Sequence, residues 1–243
     1  MAFRVICLGC LLMMLGFCDN SRDAKTTAGS PATSLPEPGV ILEFSVVVDR
    51  DVYEYTNYGE PPQMAFWLER PETGDIRTVW VSHRTGRRQW KGKVECPVAL
   101  PFWESRHALE KSNFRERHLL QRLLDAITGA TPQGGVFSVK TTAPENSHWD
   151  YFIEVNLSGD FNAAFPSQRD NGEPDHEGNG QPSLIFKGRM EATPGVSHAP
   201  ELIGRTDQWV AIDSIITDMA GITSARKILR NIQVNCISPT ANE

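Results

Sequence analysis

The chain has 243 residues, 40% of them hydrophobic and 22% charged, with a formal net charge of −6. That length can bury one good core or two small ones, and the composition is that of an ordinary globular protein. The acidic balance and the lack of a long basic run exclude a nucleic-acid surface as the working face.

At the N-terminus, Arg4 precedes an apolar run from Val5 to Cys18, VICLGCLLMMLGFC. A bilayer span needs about 20 apolar residues, so this run is short for a membrane helix. It fits the apolar region of an export signal over residues 1–18. The segment LLMMLGFCDN resembles a bacterial lipoprotein signal, with Phe17 where such signals carry a small residue. That resemblance implies Cys18 as the lipid-bearing residue. The reading places the mature chain outside the cytoplasm, in the periplasm or cell envelope, with any membrane attachment through that lipid. Cys7 and Cys10 leave with the signal, while Cys96 and Cys236 remain. These two are either a disulfide formed in an oxidising compartment or two separate buried thiols. Residues 19–39, DNSRDAKTTAGSPATSLPEPG, are small, polar and proline-bearing, and read as a flexible linker.

A single folded domain is expected over 40–238. Val40, Leu42, Phe44, Val46 and Val48 share one parity and Glu43, Ser45 and Asp49 the other, which predicts a half-buried strand. QMAFWLE (63–69) and IRTVWVS (76–82) flank the turn composition RPETGD and predict a hairpin. The densest basic stretch, RTGRRQWKGK (84–93), reads as an exposed hairpin end rather than an anion-binding patch. In KSNFRERHLLQRLLDA (111–126), Leu119, Leu120, Leu123 and Leu124 recur at helical spacing, with Ser112 or Asn113 as cap. Further strands are predicted at 136–140, 151–157, 184–190, 208–213 and 231–237, and a short helix at 223–230 capped by Thr223. Many short strands without βαβ alternation predict a mainly β fold: an antiparallel immunoglobulin-like β-sandwich with one or two short helices.

Little in the sequence points to catalysis. The six histidines show no metal-binding spacing. DNGEPDHEGNGQ (170–181) offers hard oxygen ligands for calcium, but it has the composition of any solvated loop tip. There is no GxSxG elbow, and Cys96 sits among proline and apolar neighbours, which suits a structural thiol. No catalytic or metal-binding residue is assigned.

The stretch DAITGATP (125–132) can be read as a turn in which Gly129 ends a helix and leads to the next strand. It also resembles the Asp-x-x-Ser/Thr-Gly-Ala-Thr motif of FMN-carrying subunits of ion-pumping NADH:quinone reductase complexes, differing at Pro132. In those proteins a flavin transferase esterifies the last threonine to the FMN phosphate. The matching residues are Asp125, Thr128, Gly129, Ala130 and Thr131, and the resemblance implies Thr131 as the FMN anchor.

A wider set of landmarks is MAFWLERPETGDIRTVWVS, CPVALPFWESRHAL, DAITGATPQGGVFSV, YFIEVNLSGDFNAAFP and GQPSLIFKGRM. Together they resemble a bacterial family of predicted periplasmic proteins of unknown function, with immunoglobulin-type sandwiches like flagellar hook-capping domains. The family keeps company with redox and flavin-transfer proteins, and it shares the Gly-Ala-Thr turn as part of its fold. Two functions follow as expectations. One is a non-catalytic, exported binding or accessory module with an envelope protein as partner, using the hairpin 64–82 and the loop 165–183 as contact surfaces. The other is a covalent FMN carrier in extracytoplasmic electron transfer, served by a flavin transferase.

Overall fold

The structure is a computed structural model that describes residues 39–90, 95–112, 127–175 and 178–239. Two β-sheets pack face to face. In the first, β1 (Val40–Val48) runs between β5 (Gly135–Ala143) and β10 (Leu229–Ile237), with the two-residue β8 (Ser197–His198) outside β10. The second has the order β4 (Thr128–Gly129), β3 (Ile76–Ser82), β2 (Gln63–Glu69), β6 (His148–Asn156), β7 (Leu184–Glu191) and β9 (Glu201–Arg205). The ladders are antiparallel except for the short parallel pair of β3 with β4. Three short helices are described: α1 (Arg50–Glu54), α2 (His83–Arg87) and α3 (Pro101–Ser112), with a 3₁₀ turn at Ser224–Lys227. The molecule is thus the mainly β sandwich with few helices that the alternation predicts. No helix among the described residues is long and apolar enough to cross a membrane.

The alternation in β1 places Val40, Leu42, Phe44, Val46 and Val48 inward. They meet Phe66 of β2 and Tyr151 and Ile153 of β6, with Phe44 edge-on to Phe66 at 5.9 Å and to Tyr151 at 6.1 Å. Each fully buried side chain of this kind contributes roughly 1.5–3 kcal/mol. The six-stranded sheet also buries its other face. Trp67, Val81, Phe152 and Ile185 point away from the sandwich into a second core, closed by Cys96, Val98, Ala99, Leu100, Phe102 and Trp103. Strand β2 is therefore buried on both sides, and its apolar run does not alternate.

Glu154 of β6 fixes α3 on this second core. Its carboxyl is fully buried and accepts from the backbone N–H of Trp103 at 2.6 Å and, weakly, of Phe102 at 3.4 Å. Those are orphan donors of the first helical turn, and Pro101 at the helix start has no N–H to satisfy. Ser183 lies 2.5 Å from the same carboxyl, and Thr206 lies 2.8 Å from Ser183.

Several expectations need correction. A helix at Pro101–Ser112 precedes the predicted one, and residues 113–126 of that predicted helix lie outside the described residues. The predicted strand 208–213 is a loop, because Asp207 Oδ1 accepts from the N–H groups of Trp209 and Val210 that a ladder would use. The edge strand is Glu201–Arg205 instead. The predicted helix 223–230 shrinks to a 3₁₀ turn because Leu229 onward is drawn into pairing with β1. Thr223 does precede that turn, but its side chain makes no capping bond.

Candidate functional site

After Ser82 the chain leaves β3 and coils at once into α2. Thr85 Oγ1 donates to Gln63 Oε1 at 3.1 Å, and Arg84 pairs with Glu60 at 2.7 Å, so the helix is fastened to the start of β2. Gly86 is the contact point below. A Cβ there would stand 2.7 Å from both Val81 Cγ1 and Thr128 Cγ2, so only glycine lets α2 lie on β3 and β4. The helix ends at Arg88, which is left-handed at φ 52° and donates its N–H to the carbonyls of Arg84 and Thr85. A residue with a Cβ at such a φ is strained by roughly 1 kcal/mol.

Opposite α2 stands α3. Between them is a cleft of about 510 Å³ whose lining includes Arg88, Gln89, Trp103, Glu104, His107 and Lys111. Glu104, His107 and Lys111 come from one face of α3, at spacings of three and four residues. Arg88 crosses the cleft to Glu104 at 3.1 Å. Burial pushes the Glu104 carboxyl above its ordinary range, an effect that Arg88 only partly offsets. Burial lowers Lys111, and the nearby Arg88 lowers it further.

Behind the cleft lies a buried polar network. Glu110 accepts from the Thr78 N–H at 2.9 Å, the Thr78 hydroxyl at 2.6 Å and His107 Nδ1 at 2.8 Å. Trp103 Nε1 donates to Thr78 Oγ1 at 3.2 Å, and the rings of Trp103 and His107 stack at 4.8 Å. With Nδ1 committed to Glu110, His107 Nε2 is buried without a hydrogen-bond partner. Such an orphan is uncommon and calls for a reason.

The basic stretch beginning at Arg84 is therefore a cleft wall, not a hairpin end, over its described part. Its partners on α3 were not singled out in the sequence. The one-face spacing of Glu104, His107 and Lys111 was available there as a signal.

In DAITGATP, the turn read at Gly129 is replaced by a short strand. Asp125 lies outside the described residues. Thr128 and Gly129 form β4, pairing in parallel with Val81 and Ser82. Gly129 is neither hinge nor left-handed cap. A Cβ on it would come within 2.2 Å of Trp80 Nε1, so the glycine makes room for the indole. Gly129→Ala should therefore cost about 1–3 kcal/mol by overpacking. Thr131→Ala should stay within about 0.5 kcal/mol. Urea unfolding of the two variants checks both values. Thr128 Oγ1 lies 3.5 Å from Arg87 Nε at the edge of the cleft. Ala130 is exposed and Thr131 half-buried, on an irregular connector between β4 and β5.

Cys96 and Cys236 do not form a disulfide. Cys96 is buried in the outer core and Cys236 between the sheets, with the six-stranded sheet dividing the two clusters. Cys18 lies outside the described residues. The hairpin 64–82 is mostly interior, since β2 is covered on both faces. The loop 165–183 is rooted by buried Asn179 and Gln181, with Gln181 Nε2 donating to Asp160 Oδ2 at 2.5 Å. Among the described residues, no group of three or more His, Cys, Asp or Glu is placed to hold a metal ion. Compared with known family models, curated proteins and solved structures, the chain gives no match.

Proposed function

We propose that this chain is a non-catalytic β-sandwich protein working outside the cytoplasm, in the periplasm or at the cell envelope, as a binding or accessory module. Its ligand-taking surface is the cleft between α2 and α3. One observation carries the reading: the cleft gathers a strained arginine and a buried histidine with an unpartnered nitrogen, features a fold does not need for its own stability. The apolar run 5–18 supports export. The test is amide hydrogen exchange on the full chain, with and without the small-molecule fraction of host envelope extract. Slowed exchange confined to residues 85–89 and 103–111 is the expected result. Unchanged exchange there, or recovery of the native chain from the cytosol with residues 1–18 intact, would overturn it.

A second reading is the FMN carrier. What favours it is the place of Thr131, half-exposed on a connector outside both ladders. On this reading Thr131 holds the flavin phosphate as an ester, and the flavin relays electrons. Protein from its own host should then weigh one FMN more than its sequence, and the Thr131→Ala variant should not. An unmodified mass from cells with an active flavin transferase rejects the carrier. The same spectrum shows whether Cys18 bears lipid.

A further inference from the structure

We propose that the cleft between α2 and α3 is an oxyanion site, where a small organic molecule bearing a carboxylate or phosphate is held by Arg88 and Lys111 over the paired rings of Trp103 and His107. This names the ligand chemistry of the cleft read above as the binding surface, and it rests on that reading.

The first argument is charge. The chain as a whole is acidic, at −6. The cleft nevertheless brings Arg88 and Lys111 together with a single lining carboxylate, Glu104. Among the described residues Lys111 has no ion-pair partner. Arg88 gives one Nη to Glu104 and is otherwise open, its side chain 77% exposed. A guanidinium has five donors in a planar fork, so most of its capacity faces the cleft unspent. Burial and the repulsion of Arg88 both disfavour the charged Lys111 amine, and a bound anion would offset that repulsion.

The second argument is backbone. Arg88 holds a conformation that glycine or asparagine would take at less cost. Keeping an arginine there puts a cation at the cleft mouth, at the expense of the helix end.

The third is the buried network. His107 lines the cleft yet is only 2% exposed, and its buried Nε2 lacks a hydrogen-bond partner among the described residues. Glu110 and Thr78 lock the ring through Nδ1, so Nε2 is held in one direction. The volume of about 510 Å³ is that of a small-molecule site and is larger than a bare inorganic ion needs.

The experiment is calorimetric titration of the full chain with inorganic phosphate, citrate and, as a neutral probe, glucose, at constant ionic strength. Citrate should bind saturably, phosphate more weakly, and glucose not at all. Arg88→Glu and Lys111→Glu should each weaken citrate by about tenfold or more. Lys227→Glu, an equal charge change on an exposed residue of the 3₁₀ turn, should leave it unchanged. Arg88→Gly relieves the left-handed backbone while removing the cation, so it keeps the fold and should still lose binding. Equal weakening in all the variants, or no saturable response to either anion, would overturn the proposal. If hydrogen exchange shows the cleft protected by a neutral component of the extract, the oxyanion chemistry falls and the binding surface stands. Phosphate binding tighter than citrate would assign the site to phosphoryl groups.

Discussion

Glu154→Ala should lower the unfolding free energy by about 3–5 kcal/mol at pH 7, because it strips buried partners from two amides and a serine at once. The amides of Phe102 and Trp103 would face an apolar cavity, and α3 would lose the group that caps its first turn. Glu154→Gln separates shape from charge. Burial pushes the Glu154 carboxyl up from its ordinary 4.5 to about 8, against the pull of its three hydrogen-bond donors. The folded protein therefore holds a proton that the unfolded chain releases. Stability from this group is complete below about pH 4.5 and is lost as the pH rises through about 8. Glutamine is neutral throughout, keeps an oxygen for the Trp103 amide and can turn its own amide to Ser183. Its variant should gain on the parent steadily from about pH 5 to 8 and hold a constant lead above that. Urea melts across the range check this, and parallel profiles for the two proteins would refute the buried proton.

The second large effect is expected at Trp67. This side chain is fully buried in the outer core, stacked on Phe152 at 5.1 Å with rings 6° apart and tilted against Phe102 at 5.9 Å. It joins β2, β6 and α3. Trp67→Ala should cost about 3–5 kcal/mol, from lost transfer energy and the cavity left behind. The damage should be uneven, since the inter-sheet core has its own cluster of side chains. Hydrogen exchange should quicken first in α3 and only later in β1 and β10. Uniform acceleration would show that the two cores melt as one unit.

The strand β1 was legible because one of its faces is buried and the other half-exposed, so period two stands out. The hairpin of β2 and β3 was legible from its turn, Arg70 to Asp75, where Asp75 accepts the Thr73 hydroxyl and the Arg70 N–H bonds back across. The start of α3 was not, because its cap is Glu154, about fifty residues later in the chain and on another element. Local rules see serine or asparagine caps, not a carboxylate delivered by a strand. The cleft was hidden for a similar reason. Arg88 and Glu104 meet only because Gly86 lets α2 sit flat on β4, a contact decided by missing volume rather than by a charged motif. Gly129 was noticed for its permissive backbone, yet what it supplies is space for Trp80.

The pairing of β1 with β10 sets an order on synthesis. Ile41 faces Ile237 and Val48 faces Leu229, so the opening strand of the sandwich waits for the closing one. A nascent chain can form the β2–β3 turn early, but the small sheet has no second side until residues 229–237 emerge. Such distant partners make for slow folding, with the loop-closure entropy met before the contacts reward it. A chain cut before Leu229 would leave a long β1 rim open to other chains, and aggregation rather than a smaller sandwich is its natural end.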